Sequence, residues 1–232
     1  MGMNHIKVKL IFAHLVLDKR RSLMKITIHS VNNSANQEFS DTYDETILFN
    51  GIIRSSDNAP KGDPHYKLIL QHKAVREIFD FIEWDRGERP DSRDEQGGIL
   101  LGKRYYDAEK DIHYAIVSKS ITAEDAVGSS GYLDMTQECW RNMHSKKDDY
   151  NEATGENAVI IGWFHTHPNS LSCFMSSTDR NTQDLFFDGE NTYSIVFNPQ
   201  RQLLKAFRAS ECYATQAFLI IDSTQTGVES NG

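Results

Sequence analysis

Cysteine is scarce in this chain: three in 232 residues, at Cys139, Cys173 and Cys212. They are widely spaced and form no C-x-x-C pattern. That excludes a disulfide framework and a thiolate zinc knuckle, and it fits a reducing compartment, the cytoplasm. Positive charge is in deficit as well. Lys and Arg number 25 against 33 Asp and Glu, a formal net charge of −8, the opposite of the basic face that a nucleic-acid binder presents. No apolar run is long enough to span a bilayer. The apolar stretch inside "KVKLIFAHLVLDKRR" (residues 7–21) is too short, and its Asp-Lys-Arg-Arg follows the apolar part, whereas a secretory signal puts positive charge first. It reads as a strand or an arm. Met24 opens "MKITIHSV", which reads as a second strand or as the natural start. What remains is ordinary soluble, globular composition, with length enough for one substantial core and an extension.

Residues 32–64 carry loop or linker composition, as in "NNSANQEFSDTYDE" and "SSDNAPKGDPHYK". The expected organisation is therefore an N-terminal extension over 1–64, partly strand and partly linker, a main domain over 65–222, and a disordered tail over 223–232. Within the main domain "YKLILQ" reads as a strand. Val75, Ile78, Phe79 and Ile82 then recur with helical spacing, so 72–84 reads as an amphipathic helix. "DRGERPDSRDE" reads as a polar loop, and "GGILLGKRYY" and "HYAIVSKSI" as partnered strands across a "DAEKD" turn. Asp134 and Gln137 have capping-box spacing ahead of a helix carrying Trp140 and Met143. The acidic "KKDDYNEATGEN" (146–157) reads as a solvated loop. "AVIIGWFH" is another apolar strand, and Ser177 or Thr178 caps a short helix over 179–187. "TYSIVFN" and "QLLKAFR" read as a hairpin, and "QAFLII" as a last strand or helix. Strands dominate with helices interleaved, so the fold class is α/β or α+β.

The chemistry gathers in "GWFHTHPNSLSCFMSSTD" (162–179). On a strand, side chains at i and i+2 share a face, so His165 and His167 can point to one place where the strand runs out at Pro168. Asp179, at the head of the expected helix, can return a carboxylate there. Two His and one carboxylate leave a fourth tetrahedral zinc position for water, as in catalytic sites; the alternative is a pair of satisfied core or surface histidines. Hydrolysis also needs a proton shuttle that is not a ligand. The candidate is Glu95, just ahead of Gly97 and Gly98 and a buried strand; the alternative is an ordinary loop glutamate beside a turn or bulge. Ser176 either donates a hydrogen bond to an oxyanion or caps a helix.

In their order, "EQGGILLG", "HTHP" and "SSTD" resemble the signature of the JAMM (JAB/MPN+) metallopeptidases, and the similarity extends over about 66–222. The resemblance implies a JAB/MPN fold: a central mixed β-sheet flanked by helices, layered as in the cytidine deaminases. It implies one Zn²⁺ per chain on His165, His167 and Asp179, with Glu95 as general acid/base and Ser176 as oxyanion helper. It further implies cleavage after the C-terminal glycine of a ubiquitin-like protein. "GWFHTHP" with "DLFF" downstream looks most like bacterial members that stand beside ubiquitin-like proteins and their activating and conjugating enzymes, including antiphage conjugation operons. Many eukaryotic members have one residue fewer between the second His and the Asp, and the extra residue is placed in the 169–172 loop. Other zinc patterns are not met. A deaminase needs H-x-E with P-C-x-x-C, a zincin needs H-E-x-x-H, and a metallo-β-lactamase needs an Asp and a further His directly after H-x-H. Two alternatives remain: a non-catalytic MPN scaffold that binds a partner, and a JAMM peptidase acting on a sulfur-carrier protein.

Overall fold

A computed structural model describes residues 24–25, 42–48, 63–84, 94–107 and 110–220. The arm at 7–21, most of the 85–95 loop and the tail expected at 223–232 lie outside the described residues. In chain order the elements are β1 (Met24–Lys25), β2 (Thr42–Leu48), β3 (Tyr66–Gln71), α1 (His72–Phe81), β4 (Gly97–Asp107), β5 (Ile112–Thr122), β6 (Val127–Ser129) and β7 (Tyr132–Asp134). Then come α2 (Gln137–Thr154), β8 (Val159–Thr166), α3 (Ser177–Phe186), β9 (Tyr193–Asn198), β10 (Leu203–Arg208), β11 (Tyr213–Thr215) and β12 (Ala217–Ile220).

One sheet runs in the order β1-β2-β12-β3-β5-β4-β8-β9-β10-β11. It is mixed: β3 pairs in parallel with β12 and β5, β8 with β9, and the other neighbours are antiparallel. The continuous apolar runs of β3, β4 and β8 have this cause, since a strand covered on both faces needs apolar residues at every position. Along β4, Leu100 joins the core under α1, with Ala74, Val75, Ile78 and Phe79 of that helix. Its neighbours Ile99 and Leu101 face the other way, onto Cys139 and Met143 of α2. Trp163 of β8 and Phe187 at the end of α3 pack on that second face too. The sheet also curls. Four strands separate β3 from β10, yet the Arg208 guanidinium lies 3.8 Å from the centre of the Tyr66 ring. A helix-flanked mixed α/β fold is thus what the chain adopts.

Several local expectations are corrected. The first helix stops at Phe81 rather than 84: Glu83 takes a left-handed φ of 52°, and Trp84 turns back to stack on Phe79 at 4.6 Å. Thr136, not Asp134, caps α2, its hydroxyl accepting from the Cys139 N–H at 3.2 Å, while Asp134 ends β7. The polar run 146–154 is helix rather than loop. Lys, Glu and Ala are good helix formers, and Gly155 closes the helix with a left-handed φ of 69°. Within the linker-like stretch Thr42–Leu48 is a strand, because β12 offers it a sheet edge; "QAFLII" is strand through Ile220. The hairpin β6–β7 was not foreseen, although "GSSG" between Val127 and Tyr132 is the turn signal that marks it.

Candidate metal centre

The site forms where β8 runs out beside the start of β4. His165 opposes Gly97 across that pair. A Cβ on Gly97 would lie 2.6 Å from the Phe164 carbonyl and 3.4 Å from His165 Cβ, so glycine is what lets the two strands close here. His167 follows the last residue of β8, and its N–H donates to the Phe197 carbonyl of β9 at 2.7 Å. Both imidazoles are buried and share one side, as the i, i+2 spacing predicts. Their Nε2 atoms stand 3.2 Å apart.

Asp179 closes the triangle from the first turn of α3. Its Oδ1 is 3.3 Å from His165 Nε2 and its Oδ2 3.6 Å from His167 Nε2. A reciprocal capping box aims it: the Ser176 N–H donates to Asp179 Oδ2 at 2.7 Å, and the Asp179 N–H to Ser176 Oγ at 3.2 Å. Ser176 is therefore the cap, in place of Ser177 or Thr178. Its Oγ accepts, which leaves the hydroxyl proton available to another acceptor.

The groups around the triangle fix the ring orientations. His167 Nδ1 lies 2.8 Å from the Ser172 carbonyl; that contact requires an N–H there and leaves the Nε2 lone pair facing Asp179 and His165. His165 stacks on Trp163 at 4.5 Å and 14°, and Trp163 Nε1 donates to Gln183 Oε1 of α3 at 2.8 Å. Neither Trp163 nor the Ser172 carbonyl was found from the sequence, since ring stacking and a backbone acceptor leave no mark in residue spacing.

Glu95 lies near enough to this cluster to feel the charges of His167 and Asp179, and its backbone is fixed. Its N–H donates to the Ser129 carbonyl at 2.8 Å. Next to it the Gln96 N–H donates to Thr166 Oγ1 at 2.8 Å, and the Thr166 N–H to the Gln96 carbonyl at 2.7 Å. A Cβ on Gly128 would come within 2.4 Å of the Glu95 carbonyl, so the β6–β7 hairpin sits tight against this residue. Glu95 is 6% exposed. Burial pushes its carboxyl up, the charge of His167 opposes this and that of Asp179 adds to it, for a value of about 7. Burial also pushes Asp179 up, but hydrogen bonds from the Nε2 atoms of His165 and His167, which those rings offer only when Nε2 carries a proton, together with that from the Ser176 N–H outweigh it and hold the carboxyl well below the usual range. Burial lowers His165. In His167 burial is outweighed by the Asp179 hydrogen bond, the Ser172 carbonyl and the Glu95 charge, which raise it.

His165, His167 and Asp179 could hold a metal: one donor atom from each lies within 4.8 Å of the others, and all three residues are buried. The donor chemistry fits a divalent cation. The Nε2 atoms of two imidazoles converge on one carboxylate, and His165 Nδ1 has no hydrogen-bond partner among the described residues. A cation between them satisfies the inward donors together, and three protein ligands are the set found in catalytic zinc sites. Glu95 is not one of the three donors, and its carboxyl, raised to about 7, feels the charges of His167 and Asp179.

The profile described as "JAB1/Mov34/MPN/PAD-1 ubiquitin protease" matches residues 65–189. A segment of 44 residues is 41% identical to the 26S proteasome non-ATPase regulatory subunit 14 of Dictyostelium discoideum, covering 19% of this chain and 14% of that protein. The same length is 39% identical to the ubiquitin carboxyl-terminal hydrolase RPN11 of Saccharomyces cerevisiae, again 19% and 14%. The chain thus matches only about a seventh of the length of these relatives. Residues 65–189 hold more than half of the chain, including the His-His-Asp triangle, Glu95 and the sheet that joins them, and the chain belongs to the JAB1/Mov34/MPN/PAD-1 family.

Proposed function

We propose that this protein is a zinc-dependent isopeptidase or peptidase that cleaves after the C-terminal glycine of a ubiquitin-like protein, releasing conjugates or processing a precursor. The observation that carries this reading is a buried His-His-Asp donor triangle with a protonatable carboxylate, Glu95, within reach of its charges. Zinc, when bound by His165, His167 and Asp179, would supply Lewis-acid polarisation of the scissile carbonyl and a nucleophile at neutral pH. Glu95 takes the proton of the attacking water and returns it to the departing lysine or α-amine, a role for which a value near 7 is well placed. Ser176 donates its hydroxyl proton to the developing oxyanion while its oxygen stays bound to the Asp179 N–H. His165 and His167 bind in their neutral forms, and Asp179 supplies the negative charge.

The setting we propose is a cytoplasmic bacterial conjugation system with its own activating and conjugating enzymes, of the antiphage kind. No helix among the described residues is long and apolar enough to cross a membrane. The test is zinc content and cleavage of a ubiquitin-like fusion by the wild type and by Glu95→Ala. Zinc kept and cleavage reduced by about 100- to 10,000-fold is the expected result; undiminished cleavage in Glu95→Ala would overturn the mechanism. A purified wild type without zinc would point instead to a partner-binding scaffold. Cleavage of a sulfur-carrier fusion in preference to a ubiquitin-like one would reassign the substrate.

A further inference from the structure

The carbonyls of the loop between His167 and α3 are held by side chains. The end of β9 supplies the main clamp. Asn198 is fully buried; its Nδ2 donates to the Asn169 carbonyl at 3.1 Å and to the Leu171 carbonyl at 2.6 Å. Arg201, in the turn after Asn198, donates to the Ser170 carbonyl at 3.3 Å. The next carbonyl, Ser172, takes the contact from His167 Nδ1 at 2.8 Å. Four consecutive carbonyls, 169 to 172, are thus each held, and the last holds a donor of the metal triangle. Asn169 itself has a left-handed φ of 62°, the conformation that turns the chain back toward His167 after Pro168.

The amide orientation of Asn198 is fixed by its neighbours. Oδ1 accepts from the Arg201 N–H at 2.8 Å, so the nitrogen must face the two carbonyls; the reverse placement would set oxygen against oxygen. We propose that Asn198 is a positioning residue for the metal centre. It holds the loop so that the Ser172 carbonyl selects the Nδ1–H tautomer of His167 and turns the Nε2 lone pair toward the metal. This rests on the zinc reading above only for the identity of the ion. Outer-shell partners that orient a ligating histidine typically change metal affinity by about 10- to 100-fold.

Asn198→Asp separates this role from a merely structural one. The aspartate still accepts from the Arg201 N–H, but it has no donor for the Asn169 and Leu171 carbonyls. Two quantities are read in the full-length protein: the His167 tautomer, by long-range ¹H–¹⁵N correlation of the metal-free protein at about pH 9 where imidazoles are neutral, and zinc affinity, by competition with a chromogenic chelator. The wild type should hold the Nδ1–H tautomer. Asn198→Asp should populate Nε2–H and bind zinc about 10- to 100-fold more weakly. A folded Asn198→Asp with the wild-type tautomer and zinc affinity within about twofold of wild type overturns the proposal. If Asn198→Asp does not fold, Asn198→Ser, which keeps one uncharged donor, is read in the same way against a loss of about three- to tenfold. Neither arm uses cleavage, so a wild type that binds zinc and cleaves nothing defeats the proposed peptidase and leaves this inference standing. A wild type that binds no zinc leaves the tautomer arm to decide it.

Discussion

The two ends of the central sheet both bury charged groups, and they treat them in opposite ways. At the far end from the donor triangle, Arg208 is 6% exposed and paired with two carboxylates. Its guanidinium donates to Asp63 Oδ2 at 2.9 Å, to the Glu190 carbonyl at 2.7 Å and to Glu190 Oε2 at 3.0 Å, with a face on the Tyr66 ring. Positive charge meets negative charge, and the contacts tie the chain just before β3 to β10 across the curl of the sheet. At the other end two carboxylates and two imidazoles are buried near one another, and among the described residues no fixed cation joins them. A charge cluster built for stability closes its hydrogen bonds. A cluster that could hold a cation leaves a gap in its charge balance, and the His165–His167–Asp179 end has such a gap.

Asp179→Asn should break this contrast most strongly. It keeps the shape and the acceptor for the Ser176 N–H but removes the charge. Zinc affinity should fall more than about 100-fold, beyond the cost of an outer-shell change, and cleavage should vanish with it, while the variant still unfolds cooperatively. Arg208→Met is the mirror experiment. It should lower unfolding free energy by about 2 kcal/mol and leave zinc content and cleavage near wild type. The cost stays below that of a fully broken buried pair because the Glu190 side chain is 71% exposed and is solvated on its own. Zinc titration and urea unfolding of both variants separate the two ends. Loss of zinc in Arg208→Met, or its retention in Asp179→Asn, would sink the distinction.

A smaller effect follows from Glu95 in the metal-free protein. Its carboxyl rises from 4.5 to about 7 on folding, so the folded state holds a proton that the unfolded chain releases between those values. Stability from this group is complete below about pH 4.5 and declines as pH rises toward 7. Asp179 runs the other way: held low when folded, it contributes above its ordinary range and is lost as pH falls. His165, lowered by burial, likewise weakens the fold as the pH drops below the ordinary imidazole range. Glu95→Gln leaves the Asp179 and His165 contributions in place and removes the first, together with the Glu95 charge that raises His167. Its unfolding free energy should gain on the wild type by about 2–3 kcal/mol between pH 5 and 7.5 in urea titrations of chelator-treated protein. Parallel curves for the two proteins would refute the raised carboxyl.

The legible and illegible parts of this molecule divide along the same physical line. "GGILLG" and "VIIGWF" could be read as strands because a position covered on both faces must be apolar, and that constraint is written in consecutive residues. The placement of His165 and His167 on one side was legible because two residues along a strand is a fixed displacement. Ser176 was legible as a choice between cap and oxyanion donor, and its capping role is realised through Asp179. Composition misled where tertiary context decides: residues 146–154 are polar because they face solvent, not because they lack structure. The contacts of Asn198, Trp163 and Ser129 with the site were out of reach, since each joins segments that only the folded sheet brings together.

The mildest perturbation tests whether the unbalanced end is rigid through its second layer. Trp163→Phe preserves an aromatic face for His165, stacked at 4.5 Å, but deletes the Nε1–H that Gln183 Oε1 accepts at 2.8 Å. Gln183 is fully buried, and its nitrogen remains tied to the Phe187 carbonyl at 3.0 Å, so the orphaned oxygen cannot turn to a new donor without losing that bond. The cost should be about 1–2 kcal/mol of stability, with zinc affinity within about threefold because the ring that flanks His165 stays. Trp163→Leu removes the flat surface itself and should weaken zinc about tenfold. If Phe and Leu weaken zinc equally, the Gln183 hydrogen bond rather than the stack orients His165. The positioning of that ligand would then belong to α3, the helix that also delivers Asp179.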